Sequence, residues 1–434
     1  SEAKPAGELE AARKALADIP MEWELGGHTS AFFADADLIV VSPGVPMDIE
    51  PLGQARLKGI PVISEVELAF RFLRRPLIAV TGTNGKTTTT TLIEEMLRAS
   101  GKSVFVGGNI GEPLIGYVET SQKEEWVAAE ISSFQLEGIV KFRPTIGVLL
   151  NITEDHLDRY PDFQEYIRAK GKIFQNQGKG DTALLNADDP LTFQFAHQVE
   201  SQVVLFSAQR PVPVGSFLEK GAIFYLGADG KMMRYGLDRL KIRGVHNLEN
   251  LMAAIAVGQI CGCPPEVLQR VIDEFPGLEH RLEWVGDIDG VSFFNDSKGT
   301  NVGSVVKSLM SFQRPILLIA GGKDKGGDYG PLKKLISEGV KGMALIGEAK
   351  ERIWGALGGL TETVKLNTLE EAVHWAFSRA HSGDVVLLSP ACSSFDMFEN
   401  YQERGKRFKA IVHGLPQRNI PHSKGRNDEP RPAH

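Results

Sequence analysis

Cysteine is scarce: Cys261, Cys263 and Cys392 are the only three in 434 residues. That is too few for a disulfide framework, and the Cys-Gly-Cys pair has no second pair with which to build a zinc site. All three are expected to be small buried thiols. Also missing is any apolar run of the roughly 18 residues a membrane-spanning helix needs, so no membrane span is expected. No long basic block occurs before a short Lys/Arg-containing tail, and 48 basic against 55 acidic residues give a formal charge of -7. An electrostatic grip on nucleic acid or anionic lipid is therefore excluded, although local sites can still hold small anions. The opening residues, Ser1-Glu-Ala-Lys-Pro5, contain no apolar signal region, which points to a reducing cytoplasm. They also do not begin with methionine, so the start is expected to be processed or incomplete.

What is present is a soluble globular composition, 42% hydrophobic and 24% charged, on a chain long enough for about three domains of roughly 150 residues each. Short apolar runs alternate with longer segments of helical period, the pattern of parallel α/β sheets. Strands are expected at Leu38 to Val41, Leu77 to Val80, Trp126 to Glu130, Ile146 to Leu150, Ile316 to Ala320, Gly342 to Ile346 and Asp384 to Leu388, with a weaker one near Val62-Ile63. Ser201 to Val245 reads instead as short alternating strands broken by Gly and Pro, a β excursion on the middle domain. Linkers at Arg74-Arg75-Pro76 and Phe275-Pro276-Gly277 divide the chain into 1–75, 76–277 and 278–416. Residues 417–434, rich in Pro, Arg, Asn and His, read as a disordered tail. The first piece is too short for a sheet with its own substantial core.

The strongest local signal is the strand Leu77 to Val80 running into Thr81-Gly82-Thr83-Asn84-Gly85-Lys86-Thr87-Thr88 and then a helical run from Thr90 to Ala99. A Gly-rich loop between strand and helix turns backbone N–H groups and a helix N-terminus toward phosphate. Lys86 then reaches the terminal phosphates and the Thr87 hydroxyl can hold magnesium. The strict P-loop spacing is not kept, because its early glycine would fall at Val80 and instead stands at Gly82. The next strand ends in Glu130, where a carboxylate beside phosphates suits a magnesium ligand or a water-orienting group; alone, such a residue is a cap or a surface ion pair. Asn151-Ile-Thr-Glu-Asp-His156-Leu-Asp158-Arg159 follows Ile146 to Leu150, and its oxygens and imidazole suit a second magnesium or manganese ion. Lys170 and Lys172 lie on the following helix, and by residue type alone both belong to a solvated face. Asn247 and Asn250, three apart at the start of an Ala-rich helix, share a face. In the last domain, His280-Arg281 follows the linker, where a cation can reach a nucleotide. Polar loops around Asp296, Lys298 and Thr300, around Lys325, and around Ser394 follow three apolar strands and should converge on one rim.

Taken in order, these motifs resemble the ATP-dependent Mur ligases of peptidoglycan synthesis and their relative folylpolyglutamate synthase. The residues that carry the resemblance are Thr81 to Thr87, Gly107-Gly-Asn-Ile-Gly111, Glu130-Ile-Ser-Ser-Phe-Gln-Leu136, Asn151 to His156, Gly244-Val-His-Asn247, His280-Arg281 and Asn295 to Thr300. Ser-Ser-Phe-Gln-Leu, Glu-Asp-His-Leu-Asp-Arg-Tyr and Ser-Pro-Ala-Cys-Ser-Ser-Phe-Asp look like the D-glutamate-adding branch, and the Asp-Asn-Pro-Arg of the branch adding the third residue is absent. The resemblance implies three α/β domains: a Rossmann-like N-terminal remnant, a P-loop ATPase-like middle domain and a Rossmann-like C-terminal domain. It implies a monomer in which ATP phosphorylates the carboxylate of UDP-N-acetylmuramoyl-L-alanine and D-glutamate displaces the phosphate.

By the same resemblance, Lys86 contacts the β and γ phosphates, Thr87 and Glu130 hold one magnesium, and His156 a second. Lys170 matches the lysine that the family carbamylates, while Lys172 remains a surface residue. Gly82 to Thr88, Asn247, Asn250, Arg281 and Asp296 would hold ATP. Ser42, Pro43, Gly44, Asn109 and Ser132 would contact the UDP-linked substrate. Thr300, Lys325 and Ser394 would hold D-glutamate, and His280 and Lys298 would assist phosphate or substrate contacts; Tyr401 stands at the edge of that pocket where the family pattern has Phe. The family's uridine-binding domain opens with a strand, a Gly-rich turn, a helix and a second strand that precede the point where this chain starts, so an N-terminally shortened chain is expected. The alternatives are a folylpolyglutamate synthase-like ligase, or a nucleotide-binding protein inactivated by that shortening.

Overall fold

The computed structural model describes residues 1–4, 7, 9–155, 159–242, 244–324 and 326–416. The chain forms two compact units, Ser1–Gly277 and the part from Leu278 onward. Three of the sequence expectations, His156, Lys325 and the tail 417–434, lie outside the described residues.

In the first unit, strands β1 (Ile39–Val41) and β2 (Val62–Ser64) form a small parallel sheet. A nine-stranded sheet is built from β3 (Leu77–Thr81), β4 (Val104–Gly108), β5 (Trp126–Glu130), β6 (Ile146–Leu149), β7 (Thr182–Asn186), β8 (Gln202–Ser207), β9 (Gly215–Glu219), β10 (Ala222–Leu226) and β11 (Met232–Gly236). Its order is β11-β10-β9-β8-β7-β6-β3-β5-β4. All pairings from β4 to β9 are parallel, and β10 runs antiparallel to both of its neighbours, β9 and β11. The stretch read as a β excursion on the middle domain consists of short strands that extend the main sheet. Its strands are short, yet β8 joins the edge of β7 and carries the rest with it. The loop after β3 is tighter than the sequence suggests, for the helix Lys86–Ala99 begins directly after Gly85 rather than at Thr90.

The N-terminal segment has a core of its own limited to Ile39, Val41, Leu52 and Ala55 with half-buried neighbours, too little to be stable by itself. It is held by the central sheet. Val66 and Ala69, on the helix Glu65–Phe72, belong to the same core cluster as Leu77, Val127 and Leu149. On that helix the Glu67 carboxylate is wholly buried. Its Oε2 accepts hydrogen bonds from the backbone N–H groups of Val140, Lys141 and Phe142 at 2.8–2.9 Å, and its Oε1 accepts from Arg71 at 2.9 Å. One carboxylate thus satisfies three donors in the turn leading to β6.

The second unit has one sheet, formed by β12 (Glu283–Ile288), β13 (Val291–Asn295), β14 (Ile316–Gly321), β15 (Val340–Ile346), β16 (Glu362–Lys365) and β17 (Val385–Leu388). Its order is β12-β13-β17-β14-β15-β16, parallel except for the β12–β13 pair. Period-two alternation sends Val385 and Leu387 into one core cluster and Val386 and Leu388 into another. Both faces of the sheet are covered, which is why these strands appear in the sequence as unbroken apolar runs.

Removing the Glu67 carboxylate orphans three backbone donors, the buried Phe142 N–H and the part-buried N–H groups of Val140 and Lys141, where a buried donor costs about 1–3 kcal/mol. Glu67→Ala is therefore expected to lower the unfolding free energy of the first unit by more than about 3 kcal/mol, and Glu67→Gln, which keeps one acceptor oxygen, by less. Urea unfolding of the two variants checks this order.

Candidate active site

The loop 82–85 lies over the carboxyl end of β3 and is braced from the segment that follows β6. Thr83 N–H donates to the Asn151 carbonyl at 2.9 Å, and Asn84 N–H to Asn151 Oδ1 at 2.9 Å. Asn151 Nδ2 returns a bond to the Asn84 carbonyl at 3.0 Å. The Thr83 hydroxyl donates to the Thr153 carbonyl at 3.1 Å, accepts from Thr153 N–H at 3.0 Å and lies 3.1 Å from the Tyr166 hydroxyl. Gly85, at φ +89°, adopts the left-handed conformation that ends the loop, and a Cβ there would collide with Asn250 Oδ1. The Ala-rich helix Val245–Ile260 thereby comes against the loop. Asn250 is buried, accepts from the Thr89 hydroxyl at 3.4 Å, and donates to Asn247 Oδ1 at 3.4 Å. Thr88 is buried in the first turn of the helix after the loop.

At the end of β5 the Glu130 carboxylate is shared. Thr87 Oγ1 donates to Oε2 and Asn109 Nδ2 to Oε1, each at 2.8 Å, while Asn109 N–H donates to the Glu130 carbonyl at 2.8 Å. Gly108, at φ +102°, makes that approach possible, since a Cβ there would collide with the same carbonyl. Asn109 and Glu130 are thus brought together with the loop. Ser132 is committed to the fold: its side chain and Gln135 form a capping box on the helix Ser133–Glu137.

Lys170 lies on the helix Phe163–Gly171 and is 2% exposed. Its Nζ donates to the Gly82 carbonyl at 2.9 Å and lies 4.7 Å from the centre of the Tyr166 ring. Lys86 Nζ donates to the same carbonyl at 2.9 Å and to that of Thr83 at 3.1 Å. Burial, then repulsion from Lys86, holds the Lys170 amine well below the usual lysine range, against the pull of Asp155 and Glu130. The solvated face suggested by residue type is therefore wrong for Lys170. It is wrong for Lys172 too, which is half-buried and donates to the Glu137 carbonyl at 2.9 Å. Among the described residues no cluster of three His, Cys, Asp or Glu side chains could hold a metal. The oxygens of Thr87 and Glu130 are the hard donors at the loop. Ser42, Pro43 and Gly44 form a turn closed by Val45 N–H donating to the Ser42 carbonyl at 3.0 Å.

In the second unit, the loops after β13, β17 and β14 meet at one edge. Asp296 N–H donates to the Leu388 carbonyl at 2.8 Å, Ala391 N–H to the Gly299 carbonyl at 2.9 Å, and Gly321 N–H to the Pro390 carbonyl at 2.8 Å. The Asp296 carboxylate is buried and accepts from Ser308 and Ser389, each at 2.7 Å. Burial pushes it up to about 6, against these hydroxyls and Arg281. His280 is buried in the left-handed region, 2.9 Å from Asn295 Nδ2, and burial lowers its pKa. Lys298 Nζ lies 3.8 Å from the centre of the Tyr401 ring, a cation–π contact that Tyr and Phe both offer. Thr300 follows in the same loop, its N–H donating to the Lys298 carbonyl at 2.8 Å, and Ser394 is buried.

Arg404, which the motifs did not single out, and Asp324, in the loop around Lys325, complete this rim. Arg404 is 1% exposed; its guanidinium donates to Ser297 Oγ and O at 3.0 and 2.9 Å, and to the carbonyls of Cys392 and Ser393 at 3.2 and 3.4 Å. Burial lowers it to about 10, so it remains charged. Its signal in the sequence is an arginine on the inward stripe of Tyr401, Phe408 and Val412 in the helix Tyr401–His413. Asp324 is held by Arg352 and accepts from the Tyr329 hydroxyl at 3.2 Å, which fixes the loop after β14.

Residues 80–258 match the family model for the Mur ligase middle domain, and residues 280–392 match that for the Mur ligase, glutamate ligase domain. The UDP-N-acetylmuramoylalanine--D-glutamate ligase of Geotalea daltonii is 54% identical over 400 residues, 92% of this chain and 88% of that protein. The protein of the same name from Geotalea uraniireducens is 53% identical over the same shares. The solved MurF ligase of Thermotoga maritima, a complex with ADP, is similar in fold, with a TM-score of 0.59 at 16% identity over 88% of this chain and 97% of that one. On this sequence similarity, the chain belongs to the Mur ligase family.

Proposed function

We propose that this chain is the ATP-dependent, ADP-forming ligase that joins D-glutamate to UDP-N-acetylmuramoyl-L-alanine in peptidoglycan synthesis. The observation that carries it is the pair of amines, Lys86 and Lys170, on the Gly82 carbonyl of a phosphate-type loop, in a chain 54% identical to a ligase of that name. The substrate carboxylate attacks the γ-phosphate of ATP, forming an acyl phosphate and ADP. The amine of D-glutamate adds to the acyl carbon, and phosphate leaves as the amide forms and a proton is lost. Both steps need charge neutralised on phosphoryl oxygens and two nucleophiles placed in turn.

Residues 76–277 bind ATP in this scheme. The loop Gly82 to Thr88 cradles the phosphates, and Lys86 swings from the loop carbonyls to the β and γ oxygens. Asn247 and Asn250 support the nucleotide from the facing helix, and Arg281 and Asp296 serve it from residues 278–416. Residues 1–75 take the uridine side of the substrate through Ser42, Pro43 and Gly44, while Asn109 and Ser132 lie toward its reactive end. Thr300, Lys325 and Ser394 hold D-glutamate, for which a cation and hydroxyls suit two carboxylates, Tyr401 borders that pocket, and His280 and Lys298 assist phosphate or substrate contacts. Thr87 and Glu130, with His156, would hold magnesium or manganese, whose chemistry is to neutralise phosphate charge. Burial lowers the pKa of the Lys170 amine, and its unprotonated form is a nucleophile for carbon dioxide: a C–N bond forms, a proton is released, and Lys170 becomes an anionic carbamate on the metal side. An enzyme that consumes ATP on a UDP-linked precursor works in the cytoplasm, and a single chain carries every site named here, consistent with a monomer.

Phosphate release with ATP, magnesium and UDP-N-acetylmuramoyl-L-alanine is expected to require D-glutamate and to fail with L-glutamate, L-alanine or meso-diaminopimelate. ATP binding without D-glutamate-dependent release would overturn the assignment. Lys170→Ala is expected to lose activity by on the order of a hundredfold to a thousandfold and to regain part of it with added small carboxylates; no rescue at high concentration would remove the carbamate. Gly85→Ala, which forces a Cβ against Asn250, is expected to weaken ATP binding by about tenfold or more, measured by calorimetry.

A further inference from the structure

Arg159 follows the Glu154-Asp155-His156 motif, yet its side chain turns away from the phosphate loop. Its guanidinium donates through one terminal nitrogen to the Pro43 and Gly44 carbonyls, both at 3.5 Å, and through the other to the Val45 carbonyl and Glu137 Oε2, both at 3.1 Å. The group lies 4.5 Å from the centre of the Phe134 ring. Arg159 and Glu137 side chains are each 15% exposed, so the pair is well shielded from water and salt. Four acceptors and an aromatic face are met by one planar cation, a set that the point charge of lysine cannot satisfy together.

Three of those acceptors are consecutive carbonyls of the Ser42 to Val45 turn. The other two partners, Phe134 and Glu137, belong to the helix that Ser132 caps, which begins just past Glu130. The small sheet bearing the turn has little core of its own, so the position of the turn against the central sheet depends on such cross-links. We propose that Arg159 is a positioning residue: it fixes the 42–45 turn relative to the Ser133–Glu137 helix and so sets the seat of the UDP-linked substrate. The inference rests on the function proposed above.

The test compares Arg159→Ala, Arg159→Lys, Glu137→Gln and the double variant Arg159→Ala/Glu137→Gln with the wild type, using Arg143→Ala, which breaks the peripheral Arg143–Asp181 pair, as the control for losing an arginine. Arg159→Ala is expected to raise KM for the UDP-linked substrate between about tenfold and a hundredfold, leaving KM for ATP and the kcat at saturation within about twofold to threefold. Hydrogen exchange should quicken in residues 39–47 while the helix after the phosphate loop keeps its rate. Glu137→Gln in the same chain should not restore KM, because the lost function is the grip on the turn and not relief of an orphaned carboxylate. Arg159→Lys should fall between wild type and Ala, and it carries the test if the Ala variant does not fold.

An unchanged KM for the UDP-linked substrate in the folded variants, an equal loss on every substrate, or full recovery in the double variant would overturn the role of Arg159. If the wild type itself shows no D-glutamate-dependent turnover, it is the proposed function that fails. The exchange rate of residues 39–47 then still decides whether Arg159 fixes the turn.

Discussion

The first unit is organised around a single backbone carbonyl, that of Gly82, on which two lysine amines converge. The carbonyl is reachable because the loop lies low on the segment after β6: a Cβ at Gly82 would come to 3.0 Å from Leu150 Cβ and 3.3 Å from Asn151 N. Two amines that donate to one carbonyl repel each other when both carry a proton. Lys170 is the buried member of the pair and loses the competition. The loop geometry thus brings Lys170 to the carbonyl that Lys86 also uses, and burial with that neighbour lowers the pKa of the Lys170 amine.

Around that carbonyl, polar cross-links set the loop on top of the apolar core beneath it. Asn84 and Asn151 exchange hydrogen bonds, Thr83 joins Thr153 and Tyr166, and Glu130 is held from two sides. Glu67 and Arg159 perform the same service for the N-terminal segment, through carbonyls and N–H groups of turns and not through apolar area. Such contacts are directional, so they set the position of a loop more sharply than burial alone can.

How far the sequence was legible follows from this division. The strands buried on both faces were plain, because β14 and β17 must be apolar at every position. The phosphate loop was plain as well, because strand, glycines, Lys86, Thr87 and helix are contiguous. Less visible were β4, whose Val104-Phe-Val-Gly-Gly108 ends in two glycines needed for close backbone approach, and β12, whose Glu283-Trp-Val-Gly-Asp-Ile288 is half-exposed. A run of threonines hides the start of the helix after the loop, which begins at Lys86 and not at Thr90. Lys170 and Lys172 are the instructive pair: two residues apart on neighbouring turns, they read alike by type. Lys170 finds its carbonyl 88 positions away in sequence and Lys172 finds one 35 away. Periodicity carries no information about either contact, whereas the family motif pointed to Lys170 and was silent on Lys172.

The second unit states the same principle with charge left in place. Arg404 and Asp296 are both buried, and each is hydrogen-bonded to neutral groups: hydroxyls and carbonyls for the guanidinium, hydroxyls and an N–H for the carboxylate. Burial draws the two toward neutrality from opposite sides, to about 10 and about 6, yet at neutral pH both keep their charge. A well-packed apolar pair would serve stability at least as well. What the charged groups add is register: Arg404 holds the loops after β13 and β17 together at four points, and Asp296 holds the first of those loops to Ser389. The rim is thus fixed before any ligand arrives, by partners that neutral side chains of the same size could not engage.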